Sequence, residues 1–269
     1  MKIAFYYPYS SIFSKYIVSA EHITLLGILF TGVLLRLPLI FIGIWRDEAA
    51  VFFDLQGETI AQILHNISIY EFTPPGFFLM MLPWLRWFGH QDVMAKLPSL
   101  MMGIGLIFAS YRLGRMVSSK KVGLIAAAMT AFSQPAIFFA QEVRSFTPAA
   151  LLACLCIALY CRIFRHGGER KPDWIAFILA MTGLLYFHTP GCLFALSLGV
   201  ITLVLWLKDR SRDGRSSFPI LKFLIAGIAI VGLYAPWLQV FLGEIAGGFS
   251  YTGVRLGDEQ LNLLGGLFE

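Results

Sequence analysis

Apolar residues in this chain come in long runs separated by short polar clusters, the pattern of helices packed side by side in lipid. The first run, Ile23 to Trp45, is long enough to cross about 30 Å of hydrocarbon. Further runs follow at about 95–116, 122–140, 147–164, 174–188, 191–207 and 219–241. Residues 74–89 are apolar too, but that stretch is short, broken by Pro83, and carries Arg86. It fits a helix lying at the interface better than a span. Glu58 to Leu64 has apolar residues at helical spacing and also reads as interfacial. The prediction is an all-α polytopic membrane protein with about seven transmembrane helices and interfacial helices in its first outer loop.

Composition supports this pattern: 58% of the 269 residues are hydrophobic and only 14% are charged. A mean hydropathy of +0.73 exceeds what a soluble domain of this length needs. The net charge of +5 does not indicate nucleic acid, because Lys and Arg sit in short clusters between apolar runs. With 74–89 not crossing, Arg112, Arg115, Lys120, Lys121, Arg162, Arg165, Arg170, Lys171, Lys208, Arg210, Arg212, Arg215 and Lys222 share one side. Lys2 and Lys15 join them, and the positive-inside rule makes that side cytoplasmic. Most acidic residues fall on the other side. The amino terminus is then inside and the plasma (inner) membrane is the expected location. The first run is too long, and lacks the small-residue site, for a cleaved signal peptide. Cys154, Cys156, Cys161 and Cys192 lie inside apolar runs at spacings that suit neither metal nor disulfide, so they read as buried structural thiols.

The same parity gathers ionisable groups from separate parts of the chain on the outer face. Asp47 and Glu48 stand where the first run leaves hydrocarbon, at a depth where charge is costly unless it faces a cavity or a partner. The Gln141-Glu142-Val143-Arg144 turn, Glu71 before Pro74-Pro75, and His188 at the top of the fifth run join them. Arg36 and Asp47 are eleven apart, so they share a face, about 16 Å along the axis, if the first helix continues. Snorkelling to the interface is the other reading of Arg36. Capping of the Pro-rich helix is the other reading of Glu71, and backbone bonding that of His188. Asn66-Ile67-Ser68 is a formal glycosylation sequon.

Trp45-Arg46-Asp47-Glu48-Ala49, Glu71-Phe72-Thr73-Pro74-Pro75 and Gln141-Glu142-Val143-Arg144-Ser145-Phe146 resemble three motifs of the GT-C superfamily of integral-membrane glycosyltransferases. The likeness is nearest to the branch with protein O-mannosyltransferases and the aminoarabinose transferase of lipid A. Lys96-Leu97-Pro98-Ser99, Leu113-Gly114-Arg115 and Phe187-His188 stand where further family residues recur, in the right order. Thr73 replaces a common His, and the variable carboxyl-terminal region of longer members is missing. The resemblance implies one GT-C-like module over 1–241, with outer loops 46–94 and 141–146 and an outer-face tail over 242–269. It also implies transfer of a sugar from a polyprenyl-phosphate donor to a hydroxyl acceptor.

That chemistry needs a carboxylate base at the attacking hydroxyl and a cation at the departing phosphate. Asp47 is the expected base, with Glu48 and Glu142 as further acidic contributors. Arg144, His188 and Arg46 are expected at the phosphate, and Glu71 in the substrate site. Asp47, Glu48, Glu71 and Glu142 also form a hard-oxygen set suited to Mg²⁺ or Mn²⁺, which some superfamily branches use and others do not. Two rivals remain at this level: a lipid-linked-sugar flippase and a non-catalytic subunit of a glycosylation complex.

Overall fold

The computed structural model describes residues 20–246 except 58, 72, 166 and 214–218. Lys2, Lys15, Glu58, Arg215 and residues 247–269 of the expected tail therefore lie outside the described residues. Every regular element among the described residues is helical. They are α1 (Ala20–Leu35), α2 (Arg46–Asp54), α3 (Ile60–Tyr70), α4 (Gly76–Phe88), α5 (Asp92–Val117), α6 (Lys120–Phe132), α7 (Gln134–Phe139), α8 (Phe146–Arg165), α9 (Lys171–Phe187), α10 (Gly191–Asp213) and α11 (Ile220–Ala246). Five stretches are long and apolar enough to cross a membrane: Ala20–Phe41, Asp92–Val117, Phe146–Arg165, Gly191–Arg210 and Ile220–Gly243. The protein is a multi-pass integral membrane protein.

Two of the seven expected spans look different. The 122–140 run breaks at Ser133, which is extended, because Pro135 in the first turn of α7 has no N–H to continue the ladder. The 174–188 run is α9, with 17 residues.

The first run also departs from expectation. Its helix ends at Leu35, since Pro38 cannot donate to the carbonyl one turn back. A 3-10 turn, Pro38–Phe41, and an extended stretch follow before α2 begins as a separate helix at Arg46. Arg36 and Asp47 thus share no continuous helix face. Nor does Arg36 snorkel: it is fully buried. Its Nη1 donates to the Gly32 carbonyl at 3.0 Å and the Ala131 carbonyl at 3.1 Å, and its Nη2 to Thr130 at 3.0 Å. Thr130 and Ala131 sit in the last turn of α6, where carbonyls lack helical partners and the dipole favours a cation. The guanidinium therefore ties the end of α1 to the end of α6.

Close helix crossings use glycine. A Cβ on Gly123 of α6 would lie 2.7 Å from the Tyr111 carbonyl of α5, and one on Gly114 would lie 2.9 Å from the Val122 carbonyl. The α5–α6 pair forms one layer with α1, while α5 also packs on α8, α8 on α9, and α9 on α11. A Cβ on Gly76 would fall 2.6 Å from the Tyr186 carbonyl, so the start of α4 is jammed against the end of α9.

Basic residues collect at one end of the bundle. Lys120 pairs with Glu21 at 2.9 Å and Arg115 does so at 3.3 Å, while the Tyr111 hydroxyl also bonds Glu21. Arg162 pairs with Asp173 at 2.7 Å, Arg165 donates to the Met116 carbonyl, and Lys222 donates to the Gly168 carbonyl at 2.9 Å.

At the opposite end, α2, α3 and α4 leave and return on one side. Lys96 of α5 donates to the Leu39 and Ile42 carbonyls at 3.2 and 2.9 Å, so residues 39 and 96 lie at the same level. The amphipathic α3 buries Ile63 and Ile67 and exposes Ile60 and Ile69. It is capped by Thr59, whose hydroxyl accepts from the Gln62 N–H. The Asn66 sequon lies inside this helix, with its amide donating to the Gln56 carbonyl at 3.0 Å. All four cysteines are free thiols.

Arg36→Met keeps the volume but orphans carbonyls that now share one guanidinium. Since each orphaned buried group costs about 1–3 kcal/mol, thermal unfolding in detergent should show a loss of about 3 kcal/mol.

Candidate active site

The site is assembled by a buried carboxylate. Glu48, in the first turn of α2, is 1% exposed. Its Oε1 accepts from the Val143 N–H at 2.7 Å, and its Oε2 accepts from the Trp45 N–H at 3.1 Å. Lys96 Nζ stands 3.7 Å from the same Oε2. Oε1 thus holds the 140–145 turn against the start of α2, while Oε2 caps the first turn of that helix. Gln141 adds a second tie, its Oε1 accepting from the Leu39 N–H at 2.7 Å while its Nε2 donates to the Ile137 carbonyl. Asp92 accepts from the Ile44 N–H at 3.3 Å.

This docking carries Arg144 to the mouth of the bundle. One terminal nitrogen lies 3.4 Å from Asp47 and the other 3.9 Å from Glu71. The Asp47 side chain is 48% exposed, Arg144 21% and Glu71 14%. Asp47 is therefore the open member of the cluster, and Glu71 the sheltered one. Glu71 does not cap α4, whose preceding residue, Pro75, makes no side-chain cap. Behind Glu71 lies Asp54, at the last position of α2 and 6% exposed. Burial, then the Glu71 charge, pushes its carboxyl up to about 8, with Arg144 opposing. Glu71 is raised as well, by burial above all, with Arg144 opposing.

Glu142 is 6% exposed. Burial, then repulsion from Glu48, holds its carboxyl above the ordinary range, while Trp45, Arg144 and Lys96 pull the other way. His188 follows the last residue of α9, half-buried, with its ring edge-on to Phe146 at 5.3 Å. Burial lowers its proton affinity, which favours a neutral imidazole. Arg46 is exposed on the first turn of α2. Among the described residues, no three His, Cys, Asp or Glu side chains are grouped to hold a metal ion. Asp47 and Glu71 face Arg144, and Glu48 accepts from two backbone N–H groups.

Residues 73–238 match the dolichyl-phosphate-mannose-protein mannosyltransferase family. The chain belongs to this family. It is thereby a GT-C-type membrane glycosyltransferase, of a family whose donors are polyprenyl-phosphate sugars. The matched stretch contains Glu142, Arg144 and His188, whereas Asp47, Glu48 and Glu71 precede it. Comparison with curated proteins finds no match.

Three residues at the site were not singled out from the sequence: Asp54, Lys96 and Gln141. Asp54 did leave a signal. It follows Asp47 by seven residues, two helical turns, and so returns to the same face of α2. Lys96 and Gln141 left none beyond their positions in motifs, because their partners are backbone groups of a distant turn.

Glu48→Gln retains one acceptor but removes the charge facing Lys96. It should destabilise the protein by about 2 kcal/mol, read as a lower thermal midpoint with insertion unchanged.

Proposed function

We propose that this protein moves a sugar from a polyprenyl-phosphate donor to a hydroxyl acceptor at the end of the bundle where Asp47, Arg144 and Glu71 meet. The observation that carries this reading is the Arg144–Asp47 contact of 3.4 Å, a cation and an open carboxylate at the mouth of one site. Transfer needs those two functions on either side of the anomeric carbon. A guanidinium neutralises the charge that develops as the phosphate leaves, and a carboxylate takes the proton of the incoming hydroxyl.

Before donor binds, the two satisfy each other. Donor phosphate takes over Arg144, and Asp47 is released toward the acceptor. The hydroxyl oxygen attacks the anomeric carbon, its proton passes to Asp47, and polyprenyl phosphate departs with the bonding electrons. His188, as a neutral donor beside Phe146, lines the phosphate side, with Arg46 at the rim. Glu142 supports the acidic side. Glu48 is a positioning residue, since its oxygens are committed to Val143, Trp45 and Lys96. A divalent metal is not needed to supply the cation in this scheme.

The basic clusters at the far end support a cytoplasmic assignment there. The module over 1–241 then presents loops 46–94 and 141–146 on the outer face of the plasma membrane. A lipid-borne donor explains why the site opens at the level where the helices end. Protein, glycolipid and polysaccharide hydroxyls are all chemically suitable acceptors.

The test is purified protein in lipid nanodiscs with labelled polyprenyl-phosphate sugar and a panel of hydroxyl acceptors. Wild type should transfer label. Asp47→Asn should lower turnover by at least about a hundredfold, the scale of general-base loss, with normal expression and melting. Full activity of Asp47→Asn removes it as the base, and translocation without transfer defeats the enzyme reading.

A further inference from the structure

Asp47 at the start of α2 and Glu71 just after α3 both reach Arg144. The two helices therefore run as a hairpin whose base stands at the guanidinium and whose tip, residues 55–59, points away from it. An open cleft of about 500 Å³ lies beside that tip, lined by Gln56, Gly57, Gln62 and Asn66. Three of those four residues carry a carboxamide, and none carries an ionised or apolar side chain.

Two of the three amides are held in place by the hairpin itself. Gln62 Oε1 accepts from the Thr59 N–H at 3.1 Å, completing the cap of α3, and this fixes how the Gln62 amide is presented. Asn66 Nδ2 donates to the Gln56 carbonyl at 3.0 Å, which ties α3 to the loop and orients the Asn66 carbonyl oxygen. A Cβ on Gly57 would lie 3.0 Å from Ile63 Cγ1 and 3.3 Å from Gln62 Cβ, so glycine lets the loop close over the start of α3. Gln56 is exposed and stands at the rim.

Such a wall suits one kind of ligand. A carboxamide donates and accepts in one plane, and a hydroxyl does both from one atom. Pockets for apolar groups are lined by hydrophobic and aromatic side chains, and ionic ligands are met by charges. The four lining residues supply neither. An extended peptide binds along a strand edge or through pockets for its side chains, and no strand is present among the described residues.

We propose that this cleft is an acceptor subsite, which holds one neutral sugar residue of a glycan while another presents its free hydroxyl to Asp47. The acceptor role rests on the transfer reaction proposed above. α2 is nine residues long, about 13 Å of helix rise, so the cleft is set back from Asp47 by more than one sugar ring. An oligosaccharide held by a residue beyond the reacting one spans that interval, and its fixed end orients the attacking hydroxyl.

Full-length protein in nanodiscs is tested in two ways, the first without donor. Ligand-observed NMR with free cellotriose, mannotriose and chitotriose should show binding of at least one of them. Gln56→Ala removes an exposed side chain and keeps the backbone carbonyl that Asn66 uses. It should weaken that binding about threefold to tenfold, the scale of one lost neutral hydrogen bond. Asn66→Ala should weaken it at least as much.

In the transfer assay the same trisaccharides are offered free and as dodecyl glycosides, beside a serine-containing peptide. Gln56→Ala should raise the acceptor KM by the same factor with kcat and donor KM unchanged, a split that a merely structural side chain would not produce. Preference for the dodecyl glycosides marks a lipid-borne glycan, and preference for the free ones a soluble or polymeric glycan. Absence of binding of all three trisaccharides to wild type, or binding untouched in both variants, overturns the proposal. Peptide transfer that depends on Gln56 while glycan transfer does not overturns it too. A wild type that binds a trisaccharide through Gln56 and Asn66 but transfers no sugar defeats the reaction assignment and leaves the glycan site standing.

Discussion

The buried Glu48 carboxylate is the constraint on which the rest of this end of the molecule depends. It lies between two segments 95 residues apart, accepting from the backbone of Trp45 on one side and of Val143 on the other. A carboxylate this deep is tolerated only because its oxygens take N–H donors and a lysine stands nearby. Lys96 in turn is tolerated because it also holds the Leu39 and Ile42 carbonyls. The result is a small, buried polar knot that fixes the 140–145 turn over α2, and Arg144 projects from it. Site chemistry is thereby placed on a rigid support.

The helix bundle supplies that support with few residues. Pro38 ends α1 early enough for the chain to turn back, and Arg36 closes the gap by bonding the open carbonyls of α6. Gly76 lets α4 meet the end of α9 at backbone distance, bringing the Glu71 turn toward the His188 corner. The apolar faces of α2, α3 and α4 pack with Val143 into the main core, so the segments around the site share one hydrophobic layer. Around the bundle, exposed Leu, Ile, Val and Phe side chains on α1, α10 and α11 are the surface a lipid solvent requires.

Within the site, exposure separates the roles. Asp47 is open and pairs loosely, Glu71 is sheltered, and Asp54 and Glu48 are almost closed off. A gradient of burial therefore runs across the four carboxyls, from the half-exposed Asp47 to the closed-off Glu48.

Much of this was legible in the chain itself. Apolar runs longer than a bilayer, basic clusters between them and the Pro83 break specified an all-helical membrane protein, and the helical spacing of Ile60, Ile63 and Leu64 marked α3. These are properties of local period and composition, which depend only on neighbours in sequence. Motif spacing also brought Asp47, Glu71 and Arg144 under suspicion. The sequence could not say that the first run breaks after Leu35, that Arg36 belongs to α6, or that Glu48 binds backbone and leaves the open position to Asp47. Each of those facts is a contact between residues distant along the chain, chosen by which helices pack and how closely. Only the folded structure decides which buried charge finds a donor and which carboxylate stays open.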